Sequence, residues 1–217
     1  MPLIVVPVKS FADAKQRLAG VLTTAQRRAL AEAMLRDVAA AICRVQRKVR
    51  IAFVTSDPEA EAIGRSNGFE IITDHADSGE TDAVSIATEA AMQSGARSLL
   101  VIPGDVPLVT AAELENILDA APPRGTVLVP AFDGRGTNAI LRTPPNLFPA
   151  RFGNDSFKPH VECARHSGAE HTILRLPGLA VDIDNPADLE RLAASDSETA
   201  AGRLMRSWRL RATSVVA

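Results

Sequence analysis

SLLVIPGDVPL, residues 98–108, is the stretch on which the reading of the fold turns. Residues 98–102 are almost wholly apolar, without the alternation of a half-exposed strand. Such a run suits a central strand covered on both faces. Gly104 then allows a tight backbone path, Asp105 stands at the carboxyl end of the strand, and Pro107 stiffens the exit. Open α/β sheets bind ligands beyond the carboxyl ends of their strands, near the point where strand order reverses. Asp105 is therefore a candidate functional carboxylate. A helix-capping role suits Thr110 better, because Asp105 lies too early.

Working outward, strand-like and helix-like segments alternate. LIVVPV (3–8), IAFVT (51–55), FEIIT (69–73) and TVLVPA (126–131) read as strands. Thr23 to Gln26 form a capping-box opening, after which Leu30, Met34, Val38 and Ile42 recur at helical spacing. Further helices are expected from Pro58, over 82–94, from Thr110 and over 156–167, with a strand at 170–175. DGRGTNAILR (133–142) reads as a glycine turn entering a strand. The alternation predicts an α/β fold: one domain over residues 1–195, with a mostly parallel twisted sheet and helices on both faces. The tail, 196–217, differs in kind: a small, polar start gives way to RLMRSWRLR, rich in arginine. It reads as a partly ordered terminus, as an interaction arm, or as an added helix at a subunit contact, which would make a homodimer.

The chain has 217 residues and a net charge of −2, so nothing suggests a nucleic-acid partner. No Tyr, one Trp and seven Phe leave little material for base-stacking platforms. Cys43 and Cys163 stand far apart, as buried thiols of a reducing cytosol would. No apolar run approaches the roughly 20 residues that span a bilayer, and the start lacks a secretory pattern. The expectation is a cytoplasmic protein with no membrane partner.

AVDIDNPADL (180–189) holds a second acidic element. In a strand, i and i+2 share a face, so Asp182 and Asp184 would project together while Ile183 packs inward. Two carboxylates about 4 Å apart repel by roughly 4 kcal/mol at an effective dielectric of 20. A hard divalent cation relieves this, and oxygen ligands suit Mg²⁺. A lone D-x-D is weak; with Asp105 it becomes a set that can hold one or two ions. Asn185 and Pro186 read as plain helix-start chemistry.

Carboxylate-held metals commonly serve phosphates. KSFADAKQRLAG (9–20) brings Lys9, Lys15 and Arg17 just beyond the first strand, where they could neutralise a triphosphate or form a solvated run. GRGTN (134–138) and FGNDSF (152–157) combine Gly136 and Gly153 with the hydroxyls of Thr137 and Ser156. They suggest a second anion site, although Asp155 or Ser156 could simply cap a helix. His160, Cys163 and His166 spread over roughly 120° of a helix and do not make a zinc site.

PVKSFADAKQRLAG, VIPGDVPL, DGRGTNAIL, FGNDSFKPH and LPGLAVDIDNPADL occur in this order. Over about residues 2–193 the chain resembles the guanylyltransferases of coenzyme F420 biosynthesis, which use 2-phospho-L-lactate or phosphoenolpyruvate. The resemblance implies a Rossmann-like nucleotidyltransferase fold. It also implies a reaction of GTP with a small phosphorylated carboxylic acid (2-phospho-L-lactate, phosphoenolpyruvate or 3-phosphoglycerate) that releases pyrophosphate. By position it assigns Asp105, Asp182 and Asp184 to Mg²⁺, and Thr137, Gly153 and Ser156 to the acceptor phosphate. Lys9, Lys15 and Arg17 match the family's basic loop, with Pro7 and Gly104 beside the nucleotide and Lys15, Arg17 and Asp105 in catalysis. Alternatives are another nucleoside triphosphate with another phosphorylated metabolite, or a nucleotide-binding regulator without turnover.

One departure stands out. Where the family has Gly-Leu-Asn near the nucleobase, this chain has Gly79-Glu80-Thr81-Asp82. Glu80 or Asp82 could accept hydrogen bonds from guanine N1–H and N2–H₂, or Asp82 could merely cap a helix.

Overall fold

The computed structural model of the protein describes residues 1–75, 79–153, 155–195 and 197–208. Residue 196 and residues 209–217 of the tail lie outside them, as does Asn154 of the FGNDSF stretch. Seven strands form one sheet: β1 (Leu3–Pro7), β2 (Arg50–Thr55), β3 (Glu70–Thr73), β4 (Leu99–Val101), β5 (Gly125–Pro130), β6 (Thr137–Thr143) and β7 (Glu170–Ile173). Their order is β3-β2-β1-β4-β6-β5-β7, and only β6 runs against its neighbours. The helices are α1 (Thr24–Cys43), α2 (Pro58–Ser66), α3 (Glu80–Gln93), α4 (Ala111–Asp119), α5 (Phe157–His166), α6 (Pro177–Ala180), α7 (Pro186–Ala194) and α8 (Ala200–Ser207).

The apolar strands are explained by two cores. Ile4, Val6, Leu100 and Ile102 pack on one face with Leu35 and Val38 of α1 and Leu114 and Ile117 of α4. Leu3, Val5, Leu99 and Val101 point the other way, onto Val84 and Ala87 of α3 and Val161 of α5. Every residue of 98–102 is thus buried, as a strand covered on both faces requires. Helix starts follow the sequence: Thr23 with Gln26, Thr110 with Glu113 and Asn185 with Asp188 each close a capping box.

Strand order reverses between β1, whose next strand lies on one side, and β4 on the other. Because β6 is antiparallel, its beginning rather than its end reaches the edge where β1 and β4 finish. Thr137 and Asn138 arrive there by that reversal.

One local expectation is corrected. Residues 181–184 belong to no strand; they run in a loop after α6, a turn of helix absent from the sequence reading. The alternation survives, because Ile183 is fully buried and its N–H donates to the Asp105 carbonyl at 3.1 Å. In the tail, residues 200–207 form α8, whose Ala201 and Met205 are buried with Leu30 and Met34 of α1. Asp37 on α1 accepts hydrogen bonds from the Ala200 and Ala201 N–H groups, at 2.6 and 2.9 Å. Among the described residues no helix is long and apolar enough to cross a membrane.

Candidate active site

A cavity of about 1010 Å³ opens at the carboxyl ends of β1 and β4. Pro7 and Lys9 border it from the end of β1, and Gly104 and Asp105 from beyond β4. Gly104 packs closely: a Cβ there would lie 3.3 Å from Leu35, which would have to give by a few tenths of an ångström, and in ordinary contact with Val6 at 3.6 Å.

The basic stretch folds into two single 3-10 turns, Phe11–Asp13 and Gln16–Leu18. Asp57 fastens it, accepting from the Phe11 N–H at 2.9 Å while capping α2. Between the turns Lys15 takes a left-handed backbone, φ 54°, uncommon for a side-chain-bearing residue. Its side chain is only 10% exposed, and its ammonium donates to Asp105 and, at 2.8 Å, to Asp184. Burial opposes that charge, but Asp105 and Asp184 outweigh it and hold Lys15 above the usual lysine range. Arg17 adds a 3.4 Å contact to Asp184.

Asp182 is held differently. Asn138 donates to it at 3.0 Å and also to the carbonyls of Leu179 and Ala180 at 2.8 and 3.2 Å. Burial, and then the charge of Asp105, raises its carboxyl above the ordinary range. On Asp105 itself, Oδ1 is buried with no hydrogen-bond partner. Among the described residues no three acidic, histidine or cysteine side chains converge as a ready-made metal group. Lys15 sits between two of the three carboxylates instead. The donor set nevertheless fits a hard cation: all-oxygen ligands, a buried lone pair on Asp105, and an acidic neighbour in Asp182.

Across the cavity the two glycine-plus-hydroxyl stretches form one unit. The Phe157 N–H donates to the Arg135 carbonyl at 2.8 Å, and the Thr137 N–H to Ser156 Oγ at 3.1 Å. Ser156 precedes α5 but makes no capping bond; its hydroxyl turns to Thr137 instead. Gly153 has φ 135°, a region that favours glycine. Thr137, Gly153 and Ser156 all line the cavity.

Glu80 opens α3 and lines the same cavity. Burial, followed by the nearby charge of Asp105, pushes its carboxyl up to about 7. Asp82 is exposed on the outer side of α3 and does not line the cavity; nor does it cap the helix, which begins after Gly79 without a side-chain cap. Asp82 therefore drops out as a base-contacting candidate. Thr81 instead exchanges hydrogen bonds with the Phe152 backbone at 3.0 and 3.3 Å, joining the α3 start to the Gly153 loop.

Asn138 is the cavity-lining residue, bonded to Asp182, that sequence reasoning missed. It stood within GRGTN, but its acceptors lie some forty residues away, and no spacing rule announces them. The rim pair of Arg191 stacked 4.4 Å over the Phe132 ring was equally silent.

Residues 2–214 match the family model described as guanylyl transferase CofC like. A phosphoenolpyruvate guanylyltransferase of Conexibacter woesei is 37% identical over 190 residues, covering 87% of this chain and 85% of that one. A 3-phospho-D-glycerate guanylyltransferase of Colwellia psychrerythraea is 34% identical, covering 89% and 92%. In fold, the chain is similar to a putative nucleotide-diphospho-sugar transferase from Desulfovibrio desulfuricans, with TM-score 0.76, 19% identity and coverage of 95% and 94%. It is also similar to a 4-diphosphocytidyl-2C-methyl-D-erythritol synthase from Anaerococcus prevotii, with TM-score 0.64, 8% identity and coverage of 95% and 96%. The chain belongs to the CofC-like guanylyl transferase family and is a nucleotidyltransferase.

Proposed function

We propose that the chain joins GTP to a small phosphorylated carboxylic acid, releasing pyrophosphate, as a Mg²⁺-dependent step of coenzyme F420 biosynthesis. One observation carries the reading: a single cavity is lined both by the Lys15–Asp105–Asp184 centre and by the Thr137–Gly153–Ser156 cradle. Two anionic reactants need two such sites. The relatives, a phosphoenolpyruvate and a 3-phospho-D-glycerate guanylyltransferase, support phosphoenolpyruvate or 3-phosphoglycerate as acceptor.

In this reaction an acceptor phosphate oxygen attacks the α-phosphorus of GTP in line. The new P–O bond forms as the bond to the β-phosphate bridge breaks. No general base is required, since a phosphate monoester is already ionised at neutral pH. Positioning and charge neutralisation supply the catalysis. Lys9, Lys15 and Arg17 counter the triphosphate, Pro7 and Gly104 let the nucleotide approach the backbone, and Glu80 meets the guanine edge. Thr137, Gly153 and Ser156 fix the acceptor phosphate. Asp105, Asp182 and Asp184 would hold Mg²⁺, which when bound supplies further neutralisation of phosphate charge.

Pyrophosphate release, measured with four nucleoside triphosphates crossed against 2-phospho-L-lactate, phosphoenolpyruvate and 3-phosphoglycerate, tests the proposal. Release confined to GTP with one or more of these acids is expected. Release with no combination would sink it.

A further inference from the structure

His160, buried on α5, makes two hydrogen bonds that fix its chemistry. Its Nε2 lies 3.0 Å from the Arg151 backbone N–H, which can only donate, so Nε2 must be the unprotonated nitrogen. The ring is neutral: burial, reinforced by the charge of Arg142, pushes its pKa down to about 4. In a neutral imidazole the remaining proton then sits on Nδ1. Nδ1 is 2.8 Å from Thr137 Oγ1, to which it donates. Ser156 Oγ donates to the same Thr137 oxygen at 3.3 Å.

The hydrogen count follows. Thr137 Oγ1 has two acceptor sites, and both are filled, one by His160 and one by Ser156. Its own hydrogen has no internal acceptor left and is released into the cavity that Thr137 lines. Were the tautomer reversed, Nδ1 would accept the Thr137 hydrogen, Ser156 would donate to Thr137, and neither hydroxyl hydrogen would remain for an anion. The Phe152 ring, 5.4 Å from the imidazole centroid and edge-on, closes the other side of the histidine.

We propose that His160 is a positioning residue that, through its Nδ1–H, aims the Thr137 hydroxyl at the acceptor's phosphate group. The proposal rests on the acceptor site described above and adds to it a residue that touches no substrate.

Three variants separate this role from a structural one. In His160→Asn the amide nitrogen takes the place of Nδ1 and keeps the donor to Thr137. His160→Gln reaches the Nε2 position, keeps an acceptor for Arg151 and loses that donor. With phosphoenolpyruvate as acceptor, His160→Gln should raise its KM on the order of ten-fold or more, the effect of one hydrogen bond to a charged group. KM for GTP should stay near its wild-type value. His160→Asn should recover most of the acceptor KM, and His160→Gln should add nothing in a Thr137→Val background.

Wild-type acceptor KM in His160→Gln, or equal impairment in both variants, would overturn the proposal. So would nitrogen-15 spectra of the unaltered protein showing the His160 proton on Nε2. If no acid is turned over by the wild-type protein, the substrate reading falls but this proposal still stands or fails by another measurement. Inorganic phosphate affinity, measured by calorimetry, must then keep the order wild type and His160→Asn above His160→Gln. Equal affinities would reject it.

Discussion

Glu80, proposed above to meet the guanine edge, lines the cavity at the start of α3, where burial and Asp105 leave its carboxyl near neutrality, at about 7. A pair of hydrogen bonds from guanine N1–H and N2–H₂ favours its ionised form. A bidentate contact of this kind discriminates by about 1–3 kcal/mol, so Glu80→Gln should cut the GTP-over-ATP preference about ten-fold or more. Competition assays with both nucleotides read this directly; an unchanged ratio rejects the base contact. For the acidic loop, Asp182→Ala and Asp184→Ala should abolish pyrophosphate release while circular dichroism and melting stay close to wild type. Near-normal rates in either variant would contradict the proposal that they hold the metal. His160 carries a pH signature. Its folded pKa lies below the ordinary 6.5, at about 4, so the unfolded chain binds the proton more readily. Its contribution is complete above about 6.5 and is lost as pH falls towards 4, about 3 kcal/mol over the window. Urea denaturation between pH 7 and 4 should therefore show a steeper loss in wild type than in His160→Asn; parallel curves would contradict it.

Elements differ in how plainly the sequence announces them. β1 and β4 were legible because both faces of each strand are buried, which forbids polar residues throughout. α1, α4 and α7 were legible because capping boxes are local chemistry, written within four residues. β6 was found as a strand, but its reversed direction depends on pairing with β4 and β5 across the chain. The acidic loop was read as a strand, since buried Ile183 between two aspartates imitates strand alternation without joining the sheet. The three carboxylates were legible as types, while the Lys15 ammonium between two of them was not. The tail's sequence left an added helix and a partly ordered terminus both open; its α8 buries Met205 against α1, and Asp37 accepts from the N–H groups at its start. Met205→Ala should cost about 2–4 kcal/mol, and Asp37→Ala about 1 kcal/mol, by urea denaturation. Values near zero for both would mean that α8 does not anchor to α1 in solution.

At the scale of the whole molecule, the reversal of strand order between β1 and β4 opens the cavity, and the antiparallel β6 supplies its far wall. The proposed function places the nucleotide on one wall and the acceptor phosphate on the other, and so predicts which bond is made. The direct test is a phosphorus-31 spectrum of the products from GTP, Mg²⁺ and phosphoenolpyruvate or 3-phosphoglycerate. The account predicts pyrophosphate together with a new pair of mutually coupled signals, from a diphosphate joining guanosine to the acid. GDP with a doubly phosphorylated acid, or free phosphate alone, would place the attack on another phosphorus and contradict it.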